Sequence, residues 1–136
     1  MDFSHKKYPC FEDIRVRKKL IIISKDINMD EITYDEFAKV DLRVAKIDHV
    51  EKIPGKTRII KGTISLGEEK RDVIIGGAEF YDHEQLLGKT VIVVANLETK
   101  KLAGIESNAM LLAADVENKP YSLTVDEIVP SGTNIK

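Results

Sequence analysis

Apolar positions along this chain fall mostly into short runs of period two, punctuated by glycine. Residues 40–50, VDLRVAKIDHV, put Val40, Leu42 and Val44 on one face, and the alternation slips before Ile47. A slip inside a strand predicts a bulge, which bends the strand and lets it pair with two neighbours. After the turn IPGK at 53–56, RIIKGTISLG alternates cleanly, with Ile60, Gly62, Ile64 and Leu66 on one face and Lys61, Thr63 and Ser65 on the other. Gly67-Glu68-Glu69 reads as a hairpin turn, and KRDVIIGGA as the returning strand. YDHEQLLGK fits one or two helical turns ended by Gly88. TVIVVANL and MLLAADV are two further strands, and YSLTVDEIV is a last short one.

Upstream, Thr33 and Glu36 have capping-box spacing and predict a short helix starting at Thr33. Residues 1–30 have no clean period, apart from a strand-like Leu20–Ile23. The pattern gives five main strands, a small helix between the third and the fourth, and an extension at each end. Regular short strands with glycine turns point to an all-β sandwich or small barrel, and a five-stranded barrel with a helix after strand three is the arrangement of an OB-fold. The expected organisation is an arm over 1–30 and an OB-fold domain with a C-terminal extension over 31–136.

Composition narrows the function. With 136 residues, 43% of them hydrophobic and 32% charged, the chain can build one core and is not compositionally disordered. A net charge of −2, from 21 Lys+Arg against 23 Asp+Glu, excludes a globally basic coat, so any nucleic-acid surface is local. Cys10 is the single cysteine, which leaves no internal disulfide and fits a reducing cytoplasm. No apolar run reaches the ~20 residues of a membrane helix, and the N-terminus has no signal-peptide core.

Catalytic and metal chemistry find little support. His5, His49 and His83 have no ligand spacing to one another or to Cys10, so no metal or other cofactor is expected. Asp82-His83-Glu84 reads as the first turn of a helix, where acids favour the dipole, rather than as an acid–base group. Gly76-Gly77 lacks the spaced glycines of a phosphate loop and instead marks a bulge or a close backbone approach. The chain is therefore expected not to be an enzyme. Basic charge is the stronger signal: Lys56, Arg58, Lys61, Lys70 and Arg71 sit on or beside strands 2 and 3, and Lys100 and Lys101 precede strand 5. In an OB-fold these regions border one binding face.

The stretches DLRVAKI, RDVIIGGAEFY and LLGKTVIVVANLETKKLAGIESNAMLLAA resemble the tRNA-binding domain family over about residues 36–116. That family includes C-terminal domains of methionyl-tRNA synthetases, EMAP-type domains, stand-alone tRNA-binding proteins and CsaA-type export chaperones. The most specific part is Asn96-Leu97, Lys101-Leu102, Gly104, Glu106-Ser107 and Met110-Leu111-Leu112. The resemblance implies an OB-fold that grips tRNA by shape and phosphate contact, since duplex RNA hides its base edges. Arg58, Lys61, Arg71, Lys100 and Lys101 are then the phosphate contacts. Ser107 and Met110 touch sugar and base, unless they serve as a turn cap and core filler. Asn96 is expected to hold the loop by side-chain-to-backbone bonds.

Three departures from the family pattern bear on individual contacts: Lys56-Thr57-Arg58-Ile59 after the first turn, Gly76 in place of Ser, and Ala109 in place of Gly. The expected function is a stand-alone tRNA-binding protein, of the kind that serves as an accessory of a methionyl-tRNA synthetase. The alternative is a CsaA-type chaperone for unfolded peptides. The expected setting is cytoplasmic, with tRNA and an aminoacyl-tRNA synthetase as partners and no membrane. A homodimer is also expected, because stand-alone relatives dimerise and because residues 20–24 and 121–129 offer apolar material outside the barrel.

Overall fold

A computed structural model describes residues 30–136, of which 34–136 form one compact unit. Cys10, His5 and the expected strand at 20–23 lie outside the described residues. A one-turn helix α1 (Tyr34–Ala38) starts directly after the expected cap. The strands that follow are β1 (Leu42–Lys52), β2 (Ile59–Leu66) and β3 (Glu69–Gly76). A 3-10 turn (Ala78–Phe80) and helix α2 (His83–Leu86) lead to β4 (Thr90–Val94). The main sheet runs in the order β3-β2-β1-β4-β7, where β7 is Met110–Leu111. This is the expected OB-fold barrel, with the helix between strands 3 and 4.

Strand β1 carries the curvature. Its first half pairs with β4 from Leu42↔Val94 to Lys46↔Thr90, and its second half pairs with β2. The register shifts between Ile47 and His49, beside the slip seen in the sequence. Val44, Ala45 and Ile47 are all buried, so the inward phase changes there. Near its start β1 also pairs with β10 (Asn134–Ile135), through Leu42↔Ile135 and Arg43↔Asn134. One bent strand thus has three neighbours, and the C-terminus takes the edge that β2 leaves. Ile47, Ile60, Ile64, Val73, Val91 and Val93 fill the barrel, and Leu86 of α2 joins them.

Two regions differ from the sequence pattern. The expected strand at 110–116 breaks after Leu111. Its second part, β8 (Ala113–Val116), leaves the barrel and pairs with β9 (Lys119–Ser122) in a separate hairpin. Glu117 and Asn118 turn this hairpin with positive φ, and the Asn118 backbone N–H donates to the Asp115 carboxylate at 2.9 Å. Of the expected strand at 121–129, only Tyr121 and Ser122 are extended within β9. Gly77 (φ +75) makes the close approach expected of it: a Cβ there would lie 2.4 Å from Cγ of Pro120 in β9.

A candidate RNA interface at the open side of the barrel

Lys100 and Lys101 lie on a small hairpin rather than in a loop. β5 (Lys100–Leu102) pairs with β6 (Ile105–Ser107) through Lys100↔Ser107, Lys101↔Glu106 and Leu102↔Ile105. The turn between them is Ala103-Gly104, both with positive φ (54 and 79). Two positive values in a two-residue loop match the twist of a tight hairpin, and they account for the glycine at 104. Lys100 and Lys101 are exposed and have no ion-pair partner among the described residues, although Glu106 lies across the ladder from Lys101.

The other predicted cations are engaged. Lys61 on β2 sits between Glu51 at 3.4 Å and Asp72 at 3.7 Å, because the antiparallel register places Glu51 directly opposite it. Lys70 reaches Asp48 at 3.5 Å. Arg58 is well exposed and lies 3.6 Å from Glu79. Arg71 is the most committed: its Nε donates to Glu69 at 2.7 Å and its Nη1 to the Ala95 carbonyl, and only 20% of its side chain is exposed. The Arg71 hydrogen bond, ahead of its charge, holds the Glu69 carboxyl below its ordinary value. Exposed ion pairs of this kind add little stability. Their effect on the outer face of β2 and β3 is electrostatic: an incoming phosphate there meets carboxylates as well as cations.

Ser107 bridges the seam where the barrel closes least. Its hydroxyl accepts from the Ile74 backbone N–H at 3.3 Å and donates to the Ala109 carbonyl at 3.2 Å. It satisfies an N–H on the edge of β3 that has no strand partner there. Ala109 is buried in the core, so its extra methyl packs inward. Met110, by contrast, is 47% exposed. With Ile74, Leu97, Leu102 and Ser107 it lines an open groove of about 560 Å³, whose rim carries Glu98, Thr99 and Lys100. Leu97 and Leu102 stand in the family motif, but the sequence alone assigns no contact to either. An apolar residue in a three-residue strand with no core to enter was the available signal. Asn96 fastens the start of this loop. Its Oδ1 accepts from the Asp41 backbone N–H at 2.9 Å, and its Nδ2 donates to the Lys39 carbonyl.

Asp82 starts α2, where its backbone N–H donates to the Gln85 side chain at 3.2 Å, and this is the helix-start reading of Asp82-His83-Glu84. No group of three or more metal-ligating side chains is found among the described residues. Nor is any helix among them long and apolar enough to cross a membrane.

Residues 42–134 match the family described as "Putative tRNA binding domain", a binding module. The chain is 46% identical over 112 residues to a methionine–tRNA ligase of Caldanaerobacter subterraneus subsp. tengcongensis, covering 82% of this chain and 18% of that protein. It is 41% identical over 128 residues to the methionine–tRNA ligase of Thermotoga maritima, covering 93% of this chain and 20% of that one. It therefore spans about a fifth of the length of these relatives. Among solved structures, it resembles a MetRS-related protein from Pyrococcus horikoshii, with a TM-score of 0.74 and 37% identity over 79% of this chain and 100% of that one. It also resembles the chaperone CsaA from Bacillus anthracis str. Ames, with a TM-score of 0.71 and 25% identity over 79% of this chain and 100% of that one. The chain belongs to the tRNA-binding domain family and is similar to a part of methionine–tRNA ligases.

Proposed function

We propose that this chain captures tRNA on the open side of its barrel, as a binding protein with no catalytic centre of its own, in the cytoplasm and in the service of a methionyl-tRNA synthetase. The observation that carries this reading is the pair Lys100 and Lys101, exposed and with no ion-pair partner among the described residues, on a hairpin that borders an apolar groove, with Lys100 on its rim. Phosphates dock on the two ammoniums, and Met110 and Leu102 offer a soft floor to an adjoining base. Arg58 adds a further phosphate contact. Lys61 contributes once RNA displaces its carboxylates. Arg71 supports the site by holding the end of β4 through the Ala95 carbonyl. Ser107 positions β6 against β3 and keeps one acceptor lone pair for a ribose hydroxyl.

A homodimer fits the exposed Leu123 and Ile128 beyond β9, which a two-fold contact would bury. Light scattering then gives about twice the mass of the 15.3 kDa chain. The apolar groove and the CsaA likeness favour one second reading, capture of unfolded peptide. Competition decides between them. A labelled tRNA displaced by unlabelled tRNA but not by an unfolded peptide supports the RNA reading. Displacement by the peptide alone, with no tRNA affinity, overturns it.

A further inference from the structure

We propose that the RNA path continues past Met110, along the free edge of β3, to a second cation site at Tyr81, Lys89 and Lys119, and that the segment it takes is an unpaired strand. This rests on the tRNA reading above and specifies which part of the RNA the face accepts. The first observation is continuity. A second groove, of about 400 Å³, shares Ile74 and Met110 with the first and ends against Tyr81 and Pro120. Between these ends its floor is the β3 edge from Ile74 to Gly77, roughly 10 Å of backbone at about 3.3 Å per residue. Gly76 presents bare backbone there, since a Cβ on it would meet nothing within 4 Å.

The second observation is the charge at the far end. The Tyr81 hydroxyl donates to the Pro120 carbonyl, which fixes the ring. Lys89 and Lys119 both stand over that ring, with Nζ 5.6 and 5.9 Å from its centroid, and Lys119 is 5.2 Å from the centroid of the exposed Tyr121 ring. Neither lysine has an ion-pair partner among the described residues. The carboxylate in the groove, Asp115, is held in the β8–β9 turn by the Asn118 N–H. Lys89 also lines a neighbouring hollow with Asp126 and Glu127, and it forms no ion pair with either. Two cations that share one aromatic ring, neither of them in an ion pair among the described residues, are set to receive an anion.

Lys100 thus lines the near groove, with Lys101 beside it on the hairpin, and Lys89 and Lys119 stand over the Tyr81 ring where the second groove ends, whereas the cations of β2 and β3 have carboxylate neighbours. A single strand uses both features at once: its phosphates meet the lysines and its unstacked bases lie on the apolar floor. A duplex keeps its bases hidden and would leave that floor empty.

The test measures anisotropy of labelled oligouridylates of about four and about twelve nucleotides, both within the OB-fold site-size range, and of a twelve-base-pair RNA duplex, at two salt concentrations. Lys89→Ala with Lys119→Ala should weaken the long oligomer and make its salt slope shallower by about 1.4, two phosphates at roughly 0.7 each. The short oligomer should change by less than about twofold. Lys89→Gln with Lys119→Gln should do the same, and an unchanged melting temperature in both variants keeps the reading on charge. If the long oligomer keeps its affinity and slope while Lys100→Ala with Lys101→Ala weakens it, the extension is wrong and the tRNA reading stands. If neither double change has an effect, both fall. If the duplex binds as tightly as the strand, the unpaired-strand assignment is overturned.

Discussion

Met110→Ala separates a ligand contact from a core residue, and its magnitude can be worked from the structure. A fully buried methionine side chain stabilises a fold by roughly 1.5–3 kcal/mol. Met110 is 47% exposed, so the share it gives to folding is about 1 kcal/mol. For a domain of this size that is a fall in melting temperature of about 4–8 °C. The exposed half is what a base would cover, and losing that contact should cost a similar ~1 kcal/mol, or roughly fivefold in tRNA affinity. No charge is removed, so the salt dependence of binding should keep its slope. The assay pairs a thermal melt with a tRNA titration at two salt concentrations, both on the purified variant. A melt lowered by much more than about 10 °C would return Met110 to the core. A small shift in the melt with undiminished affinity would remove it from the interface.

Two further substitutions probe how the site is held. Asn96→Ala removes two side-chain bonds, to the Asp41 N–H and the Lys39 carbonyl, and should cost about 1–3 kcal/mol; hydrogen exchange should speed up at the Asp41 amide while the β4 amides stay protected, and equal loss at both would refute the local role. Gly77→Ala places a methyl 2.4 Å from Pro120 in a left-handed conformation and should cost about 2–5 kcal/mol in urea denaturation. Gly55→Ala shares the positive φ but has open space around it, so it should cost only about 1–2 kcal/mol; equal losses would mean that the β3–β9 approach is unimportant.

The barrel was legible because its strands are half-buried and alternate. Ile60, Gly62, Ile64 and Leu66 all face inward as the period predicts, and the slip before Ile47 lies beside an actual register shift. The departure of β8 was not legible. MLLAADV is apolar except for Asp115, and nothing in that pattern says that the chain leaves the sheet after Leu111. The Leu112 N–H bonds to Ile92, while the Leu112 carbonyl accepts from Leu123, so the change of partner falls on one residue. For the site, the basic positions could be read but their availability could not. Lys61 faces Glu51 only because of the β1–β2 register, a long-range fact. Lys100 and Lys101 stay unpaired on a short hairpin whose other strand, β6, is tied to β3 through Ser107. Tyr81, Lys89 and Lys119 are spread over nearly forty residues and meet only once β9 packs against Gly77.

The central claim, electrostatic capture of tRNA by the β5–β6 hairpin, is tested most directly by the salt dependence of tRNA affinity for the parent chain and for Lys100→Ala with Lys101→Ala. In log–log form each neutralised phosphate contributes a slope of about −0.7 to −0.9. The double change should weaken binding and make the slope shallower by roughly one to two units. An unchanged slope together with an unchanged affinity would contradict the account, because the hairpin would then not touch RNA.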